Sequence, residues 1–176
     1  IISPGISKDS KVIINAQKLN IAIISEIEFA FKYTKSPIIA ITGSNGKTTT
    51  SKILFDMLRN HNMNPVLSGN IGISFSEEVL SEIITSKKDK IFILEISSFQ
   101  LEMIKNFKPS IAIFLNISND HLDRHVTMDE YIKMKFRLVE NMVEKDTIIY
   151  NGDDKILLKG FKSILLDKIK FSIKSQ

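Results

Sequence analysis

Thr42-Gly43-Ser44-Asn45-Gly46-Lys47-Thr48-Thr49 follows directly on the apolar run Ile38–Ile41. Glycines at 43 and 46 admit backbone conformations that a side chain would block, so amide N–H groups can close on phosphate oxygens. Lys47 brings a cation to the β and γ phosphates, and Thr48 a hydroxyl for Mg²⁺. A helix starting near Thr48 turns its positive end to the same point. The loop is shorter than G-x-x-x-x-G-K-S/T, because Ile41 stands where the first glycine would be. Its chemistry is binding of nucleoside triphosphate phosphates, and the competing reading is a plain strand-to-helix turn. A second group is Glu95, at the end of an apolar strand and facing the crevice where open α/β sheets bind ligands. A carboxylate there can hold the Mg²⁺ that bridges two phosphates; the alternative is a surface glutamate. His121 also follows a strand. Asp120 and Asp123 read as capping or orienting groups for it, and His61 and His125 as surface residues.

Elements that could position these groups alternate along the chain. Apolar or β-branched runs at Ile21–Ile24, Ile38–Thr42, Ile91–Ile96, Ser110–Ile117 and Thr147–Tyr150 predict strands. Helical spacing marks Glu26–Tyr33, Thr49–Asn60, Ser74–Thr85 and Met128–Asn141. Alternation of this kind predicts an α/β fold, a mostly parallel sheet flanked by helices on both faces. On the last helix Lys135 follows Tyr131 by four residues, which turns it inward with the apolar stripe, in preference to Lys133. Lys35-Ser36-Pro37 marks a boundary, since proline cannot continue the preceding helix. The chain therefore divides into residues 1–36 and 37–176.

Composition excludes several classes. The chain has 176 residues, 43% of them hydrophobic and 25% charged, enough for one core. It contains no cysteine, which removes disulfide scaffolds and thiol-based metal or redox sites. The longest apolar runs fall far short of a membrane span, and no secretory signal opens the chain. A net charge of +4 is spread over scattered lysines, with one cluster at Lys87, Lys88 and Lys90. No basic stripe interleaves with aromatics, so nucleic acid is not an expected partner. The opening Ile-Ile-Ser-Pro-Gly reads as a strand end and turn with more chain expected upstream, and Lys168–Gln176 as a strand that leads nowhere.

The loop resembles the T-G-x-x-G-K-S/T-S/T of the Mur ligases, a loop that folylpolyglutamate synthases share. Leu94–Glu102, L-E-I-S-S-F-Q-L-E, is similar to the signature of the branch that adds D-glutamate to UDP-N-acetylmuramoyl-L-alanine. Leu115–His125 resembles L-N-I/V-x-x-D-H-L/M-D-R, Gly69–Gly72 the family's G-N-I-G, and Ser3–Ile6 its S-P-G-I turn. Asn151–Asp154 is similar to N-A-D-D, with glycine for alanine, and no chemistry is expected from that change.

The resemblance implies a P-loop-type middle domain, residues 37–176, preceded by the tail of a Rossmann-like UDP-binding domain, residues 1–36, with a C-terminal domain absent. It implies ATP, UDP-N-acetylmuramoyl-L-alanine and D-glutamate as substrates in peptidoglycan precursor synthesis, two Mg²⁺ ions, and a monomer in the bacterial cytoplasm. Thr42–Thr49 would bind ATP. Thr48 and Glu95 would hold the first ion; His121 and a carbamylated Lys135 would hold the second. Lys47, His121 and Lys135 would serve catalysis. Ser3, Asn70, Ser97 and His121 would meet the muramoyl substrate. The alternatives are a sister ligase for another amino acid, and an ATP-binding module without catalysis of its own.

Overall fold

The computed structural model describes residues 1–7, 9–87, 89–118 and 127–174. Six parallel strands form one sheet in the order β2-β3-β1-β4-β5-β6. They are β1 (Ile38–Thr42), β2 (Asn64–Gly69), β3 (Lys90–Glu95), β4 (Ile111–Phe114), β5 (Thr147–Asn151) and β6 (Asp167–Phe171). From β1 the chain crosses to one edge through α3 (Lys47–Asn60), then works back to the other edge. Right-handed crossovers in opposite directions put their helices on opposite faces. Accordingly α3 packs on β1, β2 and β3, on the face carrying Ile39, Ile41 and Ile93. The other face, with Ile38, Ala40, Phe92, Leu94, Ala112, Phe114 and Ile148, joins the main core. That core takes in α4 (Phe75–Thr85) and α6 (Met128–Phe136).

The neighbours of β1 are β3 and β4, and the connections after β1 and β4 run to opposite edges. Ligands of open α/β sheets bind at such a switch point, beyond the carboxyl ends of the strands. Thr42, Glu95 and Phe114 all stand at those ends, which sets the place where the loops must meet.

Local differences from the sequence reading have physical causes. Ile21–Ile24 is no strand; only an isolated Ile2–Ser25 bridge forms there, and Ile21 is exposed. β2 carries no β-branched run and contains Pro65, tolerated because β2 is an edge strand. The C-terminal strand β6 pairs in parallel with β5. α6 stops at Phe136, and Arg137–Val139 tighten into a 3-10 turn.

Helix α2 (Glu26–Phe31) lies before Lys35–Pro37, yet its Ile27 and Ala30 enter the same core. Phe31 meets Phe107 edge to face at 5.4 Å. Glu28, 0% exposed, accepts from the amides of Lys105 (2.9 Å), Asn106 (3.0 Å) and Phe107 (2.9 Å), and from the Asn106 side chain (3.2 Å). Burial alone would raise this carboxyl; the four donors outweigh it and hold the group below the usual glutamate range. Among the described residues no helix is long and apolar enough to cross a membrane.

Candidate functional site

Side chains cap six of the helices. Ser10, Ser25, Ser74, Ser97, Thr127 and Asp154 each accept from an amide of the first turn they precede. α3 begins differently. Its N-cap is Gly46, in the left-handed region at φ 84°, with no side chain to offer the first turn. An L side chain is unfavourable at such a φ. The first turn of α3 thus receives no side-chain cap, and the positive end of the helix dipole lies at the loop.

The loop is held from both sides. Ser44 N donates to Asn116 O at 3.0 Å, and Ser118 N donates to Ser44 Oγ at 2.9 Å. Ser44 Oγ also lies 3.1 Å from Ser118 O and 3.0 Å from the hydroxyl of Tyr131. Asn116 clasps Asn45, accepting from its N–H at 2.9 Å and donating to its carbonyl at 3.0 Å. Gly43 suits this approach, since a Cβ there would stand in tight contact, 3.0 Å from the Leu115 Cβ.

Two ammonium groups converge on one carbonyl. Lys47 Nζ donates to Gly43 O and Ser44 O, each at 3.0 Å, while Lys135 Nζ donates to Gly43 O at 2.9 Å. Lys135 is buried, and its Nζ lies 4.7 Å over the ring of Tyr131. Burial of a lysine is costly unless donors and field are satisfied, and the carbonyl and the aromatic face serve that end here. The inward placement expected for Lys135 is the one observed.

Glu95 links the next strand. Thr48 Oγ1 donates to Glu95 Oε2 at 2.7 Å, and Asn70 Nδ2 donates to Glu95 Oε1 at 3.2 Å. Asn70 N also donates to Glu95 O at 2.8 Å. Gly69, at φ 96°, permits this contact, for a Cβ there would come within 2.4 Å of the same oxygen. Thr48 and Glu95 therefore present two hard oxygens at one point, which suits a divalent cation completed by phosphate oxygens and water. Among the described residues, no group of three or more His, Asp or Glu could hold a metal unaided.

Ser3 and Asn70 line one cleft of about 410 Å³, together with Gly69, Ser74 and Gln100. Ser97 begins α5 (Ser98–Leu101) in a capping box: it accepts from Gln100 N, and Gln100 Oε1 accepts from Ser97 N at 2.9 Å. Its hydroxyl donates to the same oxygen at 3.1 Å, so Ser97 and Gln100 act as a unit. His121, with Asp120, Asp123 and His125, lies outside the described residues. His61 is exposed at the end of α3. Sequence reasoning missed the grip of Asn116 on the loop and the Tyr131 hydroxyl. The position of Asn116 directly after the apolar strand was the available signal.

Comparison with known proteins decides the family. Residues 41–176 match the Mur ligase middle domain. The chain belongs to the Mur ligase family. This Mur ligase chain is 46% identical, over 157 residues, to a UDP-N-acetylmuramoylalanine–D-glutamate ligase of Caldicellulosiruptor bescii, covering 89% of the chain. It spans only 34% of that relative's length. The fold is also that of two sister ligases in the crystal. The MurF ligase of Thermotoga maritima in complex with ADP matches with a TM-score of 0.65 at 23% identity, over 85% of this chain and 35% of its own. The UDP-N-acetylmuramate:L-alanyl-gamma-D-glutamyl-meso-diaminopimelate ligase from Neisseria meningitides matches with a TM-score of 0.70 at 17% identity, over 97% and 57%.

Proposed function

We propose that this Mur ligase chain carries the ATP-binding part of a ligase that joins D-glutamate to UDP-N-acetylmuramoyl-L-alanine. The observation that carries the reading is the junction of Lys47, Thr48 and Glu95 at the uncapped start of α3. The substrates follow the relative's name, supported by 46% identity across 89% of the chain. Residues 37–176 are read as the middle domain, and residues 1–36 as the tail of a preceding UDP-binding domain. The family match beginning at Ile41 supports that division.

In this reading the substrate carboxylate attacks the γ phosphorus of ATP. ADP leaves, and the amine of D-glutamate then displaces phosphate from the acyl phosphate. Two anions meet in the first step, so the task of the chain is to neutralise and align them. Lys47 and the loop Thr42–Thr49 would hold the phosphates, its Ser44 and Asn45 amides being engaged by Asn116. Thr48 and Glu95 would hold one Mg²⁺, which neutralises phosphate charge when bound. His121 and a carbamylated Lys135 would hold the second. Lys135 lies buried beside the loop, with its Nζ on Gly43 O. Ser3, Asn70, Ser97 and His121 would meet the muramoyl substrate, the first two across their shared cleft. The resemblance adds a monomeric enzyme of the bacterial cytoplasm.

Since the chain spans 34% of its relative, it alone is expected to bind MgATP with little turnover. The test has two arms. Calorimetry measures MgATP binding by residues 1–176. A chimera, with these residues replacing the matched segment of the relative, is assayed for ADP release. Release that needs both UDP-N-acetylmuramoyl-L-alanine and D-glutamate is expected; release indifferent to D-glutamate, or better with another amino acid, overturns the reading. In that chimera Lys135→Ala should be inactive and regain activity with short carboxylic acids. Full activity without them refutes the carbamate.

A further inference from the structure

Asp154 caps α7 (Lys155–Gly160), but one carboxylate oxygen suffices for that. Oδ1 accepts from Ile156 N at 2.8 Å and Leu157 N at 3.1 Å. Oδ2 faces away from the helix and accepts from Ile117 N at 2.7 Å. Ile117 is buried in the segment that leaves β4, between Asn116 and Ser118. Those two residues hold Ser44 and Asn45 of the phosphate loop. A second bond runs the same way, from Asn151 Nδ2 at the end of β5 to Leu115 O at 3.0 Å. Residues 115–118 are thus fixed by the exit of β5 on one side and grip the loop after β1 on the other.

We propose that Asp154 is a positioning residue for the phosphate loop, acting through Ile117 on the segment that holds Ser44 and Asn45. The physical need is preorganisation. Gly43 and Gly46 give the loop more conformations than one, and binding a phosphate chain is weakened by each that must be abandoned. A hydrogen bond to an ionised acceptor is about twice as strong as a neutral one, so Asp154 is suited to fixing a buried amide. The inference rests on the phosphate-binding reading for its functional consequence, but the mechanical link does not.

Asp154→Ser separates the two duties. Serine is an equally good N-cap, but its hydroxyl cannot also reach Ile117. Ser10→Ala, which removes the cap of α1, serves as a control for loss of a cap alone. MgATP affinity of the whole chain is measured by calorimetry, and amide exchange at Ser44 and Asn45 by NMR without nucleotide. In Asp154→Ser the MgATP Kd should rise about tenfold, which is about 1.4 kcal/mol. Exchange at both amides should quicken, while Ser10→Ala alters neither. If Asp154→Ser does not fold, Asp154→Asn replaces it, since its amide nitrogen would oppose either Ile117 N–H or the helix. Wild-type affinity and exchange in the folded variant overturn the proposal. A wild-type chain that ignores MgATP sinks the nucleotide reading instead, and the exchange rates then decide the role of Asp154.

Discussion

Two clusters of backbone amides in this molecule meet opposite fates. At residues 105–107 three successive N–H groups close on the Glu28 carboxylate, an anion from the chain itself. At the start of α3 the N-cap is Gly46, and the nearby Glu95 is bonded to Thr48 and Asn70 through their side chains. The first cluster fastens α2 to the turn before β4 and contributes to stability. The second, with Lys47 beside it, has no side-chain cap, and in the proposed reading its negative charge comes from a ligand. The same donor chemistry serves folding when the anion is internal, and binding when it is not.

The largest effect expected from breaking this contrast is Glu28→Ala. It orphans three amides, at a cost of about 3 kcal/mol in denaturant unfolding, and should leave MgATP affinity unchanged. Acid sharpens the point. A carboxyl held below its unfolded value contributes stability that is full above the unfolded pKa and fades as pH falls through the folded one. Wild type should therefore lose this increment below about pH 4.3, and Glu28→Gln should lack that part of the slope. The converse variant is Lys47→Ala, which should weaken MgATP roughly 100-fold by calorimetry with little loss of nucleotide-free stability.

Gly46→Ala should cost about 1–2 kcal/mol, because an L residue must adopt φ 84° there. Its added Cβ meets only Leu115 Cδ1, at 3.6 Å, so the cost is conformational. Thermal unfolding reads this directly. The smallest effect has the opposite sign. Ser51 in α3 is buried with its hydroxyl unpartnered among the described residues. Ser51→Ala should stabilise the chain by about 0.5–1 kcal/mol in the same measurement.

Legibility differed by the kind of signal. The loop, Glu95 and the inward Lys135 could be read because each is fixed by local spacing: glycines before a helix, a carboxylate ending an apolar run, a lysine one turn from a tyrosine. β2 could not, since an edge strand opening with Asn64-Pro65 carries no run to find. Ile21–Ile24 misled in the other direction: its β-branched composition favours extension, but no neighbouring strand pairs with it. Glu28 carries no local signal of its role, because its partners lie 77–79 residues away.

By itself the sequence determined the fold class, the strand-loop-helix that can hold phosphates, and the family. Those depend on periodicity and on residue types a few positions apart. Tertiary structure alone decided which strand ends are neighbours, and so that Glu95 meets Thr48, that Asn116 and Ser118 clasp the loop, and that Asp154 reaches Ile117. Strand order is set by packing and crossover direction over the whole chain, and no local spacing encodes it.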